Sequence, residues 1–177
     1  MKIETATIRR LRDALLLSGR RVDVLSPAFE TLARAGLLSD EEKAALARVD
    51  PMVETMFLMM AADGKVTESE RDAVRGAVRG LTGDLIHEGA IKVMLETYER
   101  TLLDEGREAR LKRVGQSLSA HPRDAEGAFA LAAAVALADD EVDDEERELV
   151  KKLALWFGIT DARAHVLLNQ IEDDRTP

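Results

Sequence analysis

The sequence predicts an all-α fold, a single-domain bundle of about eight to nine helices built around two repeated helix–acidic loop–helix halves. Three observations carry this. Hydrophobic residues make up 46% of the 177, yet aromatics only 3%, so the core must be Ala, Leu, Val, Ile and Met. Apolar positions recur at helical rather than strand spacing, and no stretch alternates convincingly. One unit then occurs twice. Met56-Phe57-Leu58-Met59-Met60-Ala61-Ala62-Asp63-Gly64-Lys65-Val66 runs into Thr67-Glu68-Ser69-Glu70-Arg71. Its counterpart, 76 residues on, runs from Ala132 to Arg147. Ala62, Asp63, Val66, Glu70, Arg71 and Val74 recur as Ala138, Asp139, Val142, Glu146, Arg147 and Val150. Two copies are too few for a solenoid, so the halves should pack as one unit.

Residues 3–18 read as an amphipathic helix with Ile8, Leu11 and Leu15 on one face, closed by Ser18-Gly19. Ser26 caps the next helix, with Pro27 in its first turn, where a missing N–H costs nothing. Ser39-Asp40-Glu41-Glu42 is a capping box that opens a third helix, expected to end near Val49. Asp50-Pro51 then reads as a restart, Asp50 capping and Pro51 occupying the first turn. The segment from Pro51 to Ala62 is apolar almost all round and should be buried on most sides. Thr67-Glu68-Ser69-Glu70 is a second capping box, for a helix broken at Thr82-Gly83. Further helices follow over 85–104, 107–119 and 124–138, with Gly106 and Pro122 as punctuation. The last two start near Asp144 and at Thr160 or Asp161, separated by Gly158.

Charge and composition exclude several classes of function. A net charge of -9 argues against bulk nucleic-acid binding, which needs a basic surface. The charge is uneven. Residues 1–21 hold six basic side chains against two acids, whereas residues 139–148 hold eight acids against Arg147. An acidic surface of that kind suits a basic protein partner. No segment approaches the ~20 apolar residues of a membrane span, and Ala14-Leu15-Leu16-Leu17 is too short for a signal-peptide core. Without cysteine there are no disulfides, thiolate metal sites or cysteine nucleophiles. A cytoplasmic location is the expectation. No phosphate loop or local nucleophile signature occurs, so catalysis is not expected.

The acidic loops are the candidate site. Asp63-Gly64 through Glu70 resembles the second half of an EF-hand, with Asp63 at loop position 5 and Glu70 at position 12. Positions 1 and 3 must then offer oxygen, but they are Met59 and Ala61, and in the second copy Val135 and Leu137. Neither copy is a calcium hand. The loops can still meet across a pseudo-twofold axis, where Asp63, Glu70, Asp139 and Glu146 would hold one hard divalent cation. Each loop can instead hold its own. Carboxylate donors suit Ca²⁺, Mg²⁺ or Mn²⁺ better than Zn²⁺, and His87, His121 and His165 show no zinc-ligand spacing. The competing reading is architectural: Thr67 with Glu70, and Asp143 with Glu146, are ordinary helix caps, and Asp63 and Asp139 bond their own loops.

At these residues the chain resembles the TerB-like family of tellurite-resistance helical domains. The resemblance rests on Leu58–Arg71, Ala132–Arg147 and the ending Trp156-Phe157-Gly158-Ile159. It covers roughly residues 45–172, leaving 1–44 as an N-terminal helical extension packed on the core and 173–177 as a frayed tail. It implies a two-half helical fold, an acidic divalent-metal surface at Asp63, Glu70, Asp139 and Glu146, and a role in tellurite resistance or stress response. One departure stands out: Asp140 replaces Gly64, so the second loop need not share the first one's shape.

Overall fold

The computed structural model describes residues 5–18, 25–61, 66–137 and 144–175, and among them every regular element is helical. The helices are α1 (Thr5–Ser18), α2 (Pro27–Arg34), α3 (Asp40–Met60), α4 (Glu68–Thr82), α5 (Glu88–Glu105), α6 (Arg107–Leu118), α7 (Pro122–Ala136), α8 (Asp144–Trp156) and α9 (Asp161–Arg175). No described helix is long and apolar enough to cross a membrane.

Local chemistry sets most of the boundaries. Ser26 Oγ accepts the Phe29 N–H at the head of α2. Ser39 with Glu42 and Thr67 with Glu70 form complete capping boxes at the heads of α3 and α4. Gly83 closes α4 with φ +65°, a left-handed conformation that glycine adopts without a Cβ clash. His87 caps α5: its Nδ1 accepts the Ala90 N–H at 3.1 Å, and its Nε2 lies 2.9 Å from the Leu37 carbonyl. Since Nδ1 accepts, Nε2 carries the proton and donates to Leu37. Thr160, rather than Asp161, caps α9 by accepting the Arg163 N–H.

One boundary differs from the sequence expectation. The chain does not restart at Asp50-Pro51, because α3 runs without a break from Asp40 to Met60 with Pro51 inside it. An internal proline loses one hydrogen bond and crowds the preceding turn, at a cost of about 3 kcal/mol. Burial offsets it: every residue from Val49 to Ala61 is buried. Asp50 is then no cap, and its carboxylate is spent elsewhere.

The core is organised by α3 and α7, the corresponding helices of the two halves, which share the most extensive helix–helix interface. In α7 the buried run Gly127 to Ala136 is alanine-rich, and Met52 of α3 fills the space over Gly127, where a Cβ would stand 2.6 Å from its methyl carbon. The added helices are not peripheral. α2 packs on α5, burying Ala28, Phe29 and Leu32, and α1 reaches α4 in the first half and α7 and α9 in the second.

α6 and α8 approach closely at Gly115. A Cβ there would meet the ring of buried Phe157, 2.6 Å from Cε1, and stand 3.0 Å from Trp156 Cβ. Gly115→Ala should therefore destabilise the fold by ~1–3 kcal/mol, despite alanine's better helix propensity. Thermal unfolding of the variant measures it, and an unchanged or raised midpoint would contradict the close contact.

Candidate functional site

Two polar groups are set into the buried half of α3, one turn apart. Asp50 is fully buried and collects three donors. Its Oδ2 accepts the Ser26 N–H at 2.6 Å, and its Oδ1 accepts the Ser26 hydroxyl at 2.7 Å and the Tyr98 hydroxyl at 2.8 Å. Because Ser26 Oγ also accepts from Phe29, the head of α2 is held to α3 and α5 by one continuous chain of hydrogen bonds. Burial pushes the Asp50 carboxyl up, opposed by the bonds from Ser26 and Tyr98 and by the charge of Arg110. Burial and the neighbouring Asp50 and Glu54 carboxylates push the Tyr98 phenol well above its usual 10.

Glu54 forms the second group with Arg110 of α6. The guanidinium grips the carboxylate with both arms, Nε to Oε1 at 2.7 Å and the second nitrogen to Oε2 at 3.1 Å. Glu105 adds a carboxylate 3.8 Å from Arg110 and 2.9 Å from Arg113. Burial pushes Glu54 up to about 7, against the pull of Arg110. The whole cluster joins α2, α3, α5 and α6. In the sequence Asp50 before Pro51 reads as a helix cap, and Glu54 has no partner nearby in the chain. The signal that could have found them is their i, i+4 spacing inside an otherwise apolar run, where an acid must have a buried partner.

Of the four acids expected to bind metal, Glu70 is placed in full. Its Oε2 accepts both the Thr67 N–H at 2.7 Å and the Thr67 hydroxyl at 2.8 Å. Its Oε1 makes no bond to any described residue. Glu70 is thus a helix cap that keeps one carboxylate oxygen in reserve. Its neighbour Arg71 pairs with Glu99 of α5 at 2.6 Å and with Glu68 of its own helix at 3.5 Å. Asp63 and Asp139 lie outside the described residues, as do Asp140 and Asp143. Glu146 lies in the first turns of α8, its side chain likewise outside them. Among the described residues no three His, Asp or Glu side chains gather as a metal ion requires. The ending motif is placed: Phe157 is buried, and Gly158 turns the chain at φ +69°.

Among the described residues the fold is all-helical, and the sequence between α3 and α4 and between α7 and α8 repeats an acidic segment ahead of an acidic helix head. A family model described as tellurite resistance protein TerB matches residues 50–169, and the chain belongs to that family. No curated protein and no solved structure matches it.

Proposed function

We propose that the chain is a non-catalytic, tellurite-resistance-like stress-response module that binds a divalent cation through its duplicated acidic loops. The observation that carries this is Glu70. It begins a helix directly after the first loop and keeps an unengaged carboxylate oxygen there, the kind of hard donor that Ca²⁺, Mg²⁺ or Mn²⁺ takes. Asp63, Glu70, Asp139 and Glu146 would supply the carboxylates. The bound ion would offset the mutual repulsion of the acids and stiffen both loops against the helices they join. Family membership supports the reading by placing both loops inside the matched residues.

The same residue favours a second reading. Glu70 completes a capping box without any ion, as expected if the loops are caps alone and the acidic surface serves a basic protein partner. Melting the metal-stripped protein with added Ca²⁺, Mg²⁺, Mn²⁺ or Zn²⁺ separates the two. A cation at 100 times its Kd should add ~2.7 kcal/mol. Asp63→Ala and Asp139→Ala should each abolish that gain. If no cation shifts the melting point at millimolar concentration, the metal reading fails and the scaffold reading takes its place.

A further inference from the structure

A second cleft lies away from the acidic loops, between the middle of α1, the N-terminal half of α3 and the end of α4. Its volume is about 320 Å³, at the small end of the range for ligand pockets. Its apolar wall is aliphatic throughout: Ala44, Ala45, Val49, Leu81 and Leu85. Among the described lining residues there is no aromatic ring for a planar ligand to stack on. The described lining also lacks a free neutral donor, because the Thr82 hydroxyl already donates to the Val78 carbonyl at 2.7 Å.

Recognition therefore falls to two guanidiniums. Arg48 is half-buried and, among the described residues, has neither a hydrogen bond nor an ion pair. Arg12 is also half-buried, and meets only its exposed neighbour Asp13 at 3.5 Å. A partly shielded guanidinium without an acceptor loses hydration that an anion would restore, and its planar fork fits a carboxylate. Among the described residues the one acid lining the cleft is Glu41, so two positive charges there face one negative. That balance suits a monoanion better than a phosphate dianion. Arg12, Glu41 and Arg48 all precede the first residue matched by the family, so the cleft is not a property carried by the matched segment.

We propose that this cleft binds a short-chain aliphatic monocarboxylate, its head between Arg12 and Arg48 and its tail along the wall of Ala45, Val49, Leu81 and Leu85. The arginine-rich N-terminal helix then has a local task in an otherwise acidic protein. The inference does not depend on metal binding at the loops.

The test is a titration of the ¹⁵N-labelled full chain with sodium hexanoate at constant ionic strength, followed by amide chemical shifts. Hexanoate should give saturable shifts clustered at Arg48, Val49, Leu81 and Thr82, with a Kd on the order of 1 mM. Hexylamine should not bind, and hexanol and inorganic phosphate should bind at least about tenfold more weakly. Arg48→Met, a change on the rim of the cleft, should weaken hexanoate by about tenfold while leaving the rest of the spectrum in place. Equal binding of hexanol would reduce the cleft to an apolar hollow, and equal binding of phosphate to a bare anion site; either overturns the proposal. So does an Arg48→Met protein that binds normally, or the absence of saturable shifts up to about 50 mM hexanoate.

Discussion

Asp50→Ala is expected to lower unfolding stability by ~3–5 kcal/mol, measured by urea denaturation. The substitution strands two buried donors outright, the Ser26 N–H and the Ser26 hydroxyl, and leaves the Tyr98 hydroxyl only a long bond of 3.4 Å to the backbone carbonyl of residue 50. Each unsatisfied donor costs ~1–3 kcal/mol, and relaxation of the Ser26 segment recovers part of it. Tyr98→Phe is the contrasting case. It takes away one donor, leaves Asp50 with both bonds from Ser26, and should cost only ~1 kcal/mol through the hydroxyl. Comparable losses for the two variants would show that the Tyr98 bond, rather than the set around Asp50, carries the stability. Because Ser26 is also the cap of α2, Asp50→Ala should loosen the packing of α2 on α5 before the rest of the bundle opens.

Arg110→Met should have a comparable effect, ~3–5 kcal/mol, for an electrostatic reason. It leaves Glu54 buried with no fork to hold its charge. The loss should depend on pH. In the native protein burial holds Glu54 near 7, above its ordinary 4.5. A carboxyl raised on folding binds its proton more tightly in the folded state, so its contribution is most favourable below pH 4.5 and declines as pH rises to about 7. Without Arg110, which pulls that pKa down, the decline must continue to higher pH. Arg110→Met should therefore lose more stability at pH 8 than at pH 5, relative to the unmodified chain. Glu54→Leu combined with Arg110→Met should recover much of the loss, since an apolar pair replaces a buried charge. A loss that is the same at both pH values, or one that the double variant does not relieve, would refute this account of the pair.

These two clusters show where sequence reading stopped. Period and punctuation were enough for most helices, the false restart at Asp50-Pro51 inside α3 excepted, because a capping box such as Ser39 to Glu42 acts within four residues and needs no distant partner. The apolar run from Pro51 to Ala62 likewise marked that stretch of α3 as buried, whereas its pairing with α7 came from the fold. Asp50 failed by the same local logic. An acid before proline is a good cap, and only Ser26 and Tyr98, distant in sequence, made it a core residue. Glu54 offered no local cue to Arg110, 56 residues away.

The candidate site divides in the same way. Spacing alone identified the duplicated acidic segments and offered Glu70 as a cap beside the metal reading; the family entered as a resemblance at the same residues. Whether a carboxylate keeps a free oxygen is a matter of how it is bonded in space, and that was decided for Glu70 only by the fold. The cleft at Arg12 and Arg48 was invisible in the sequence for a stronger reason. Its residues come from three helices and a connection, each unremarkable alone, and a basic helix face reads as solvated until something packs beside it. The sequence by itself determined the helices, their pairing in two halves and the acidic loops, because those follow from short-range periodicity and capping. Only the tertiary structure decided which charges are buried and which are left unpaired, because desolvation depends on neighbours that chain order does not reveal.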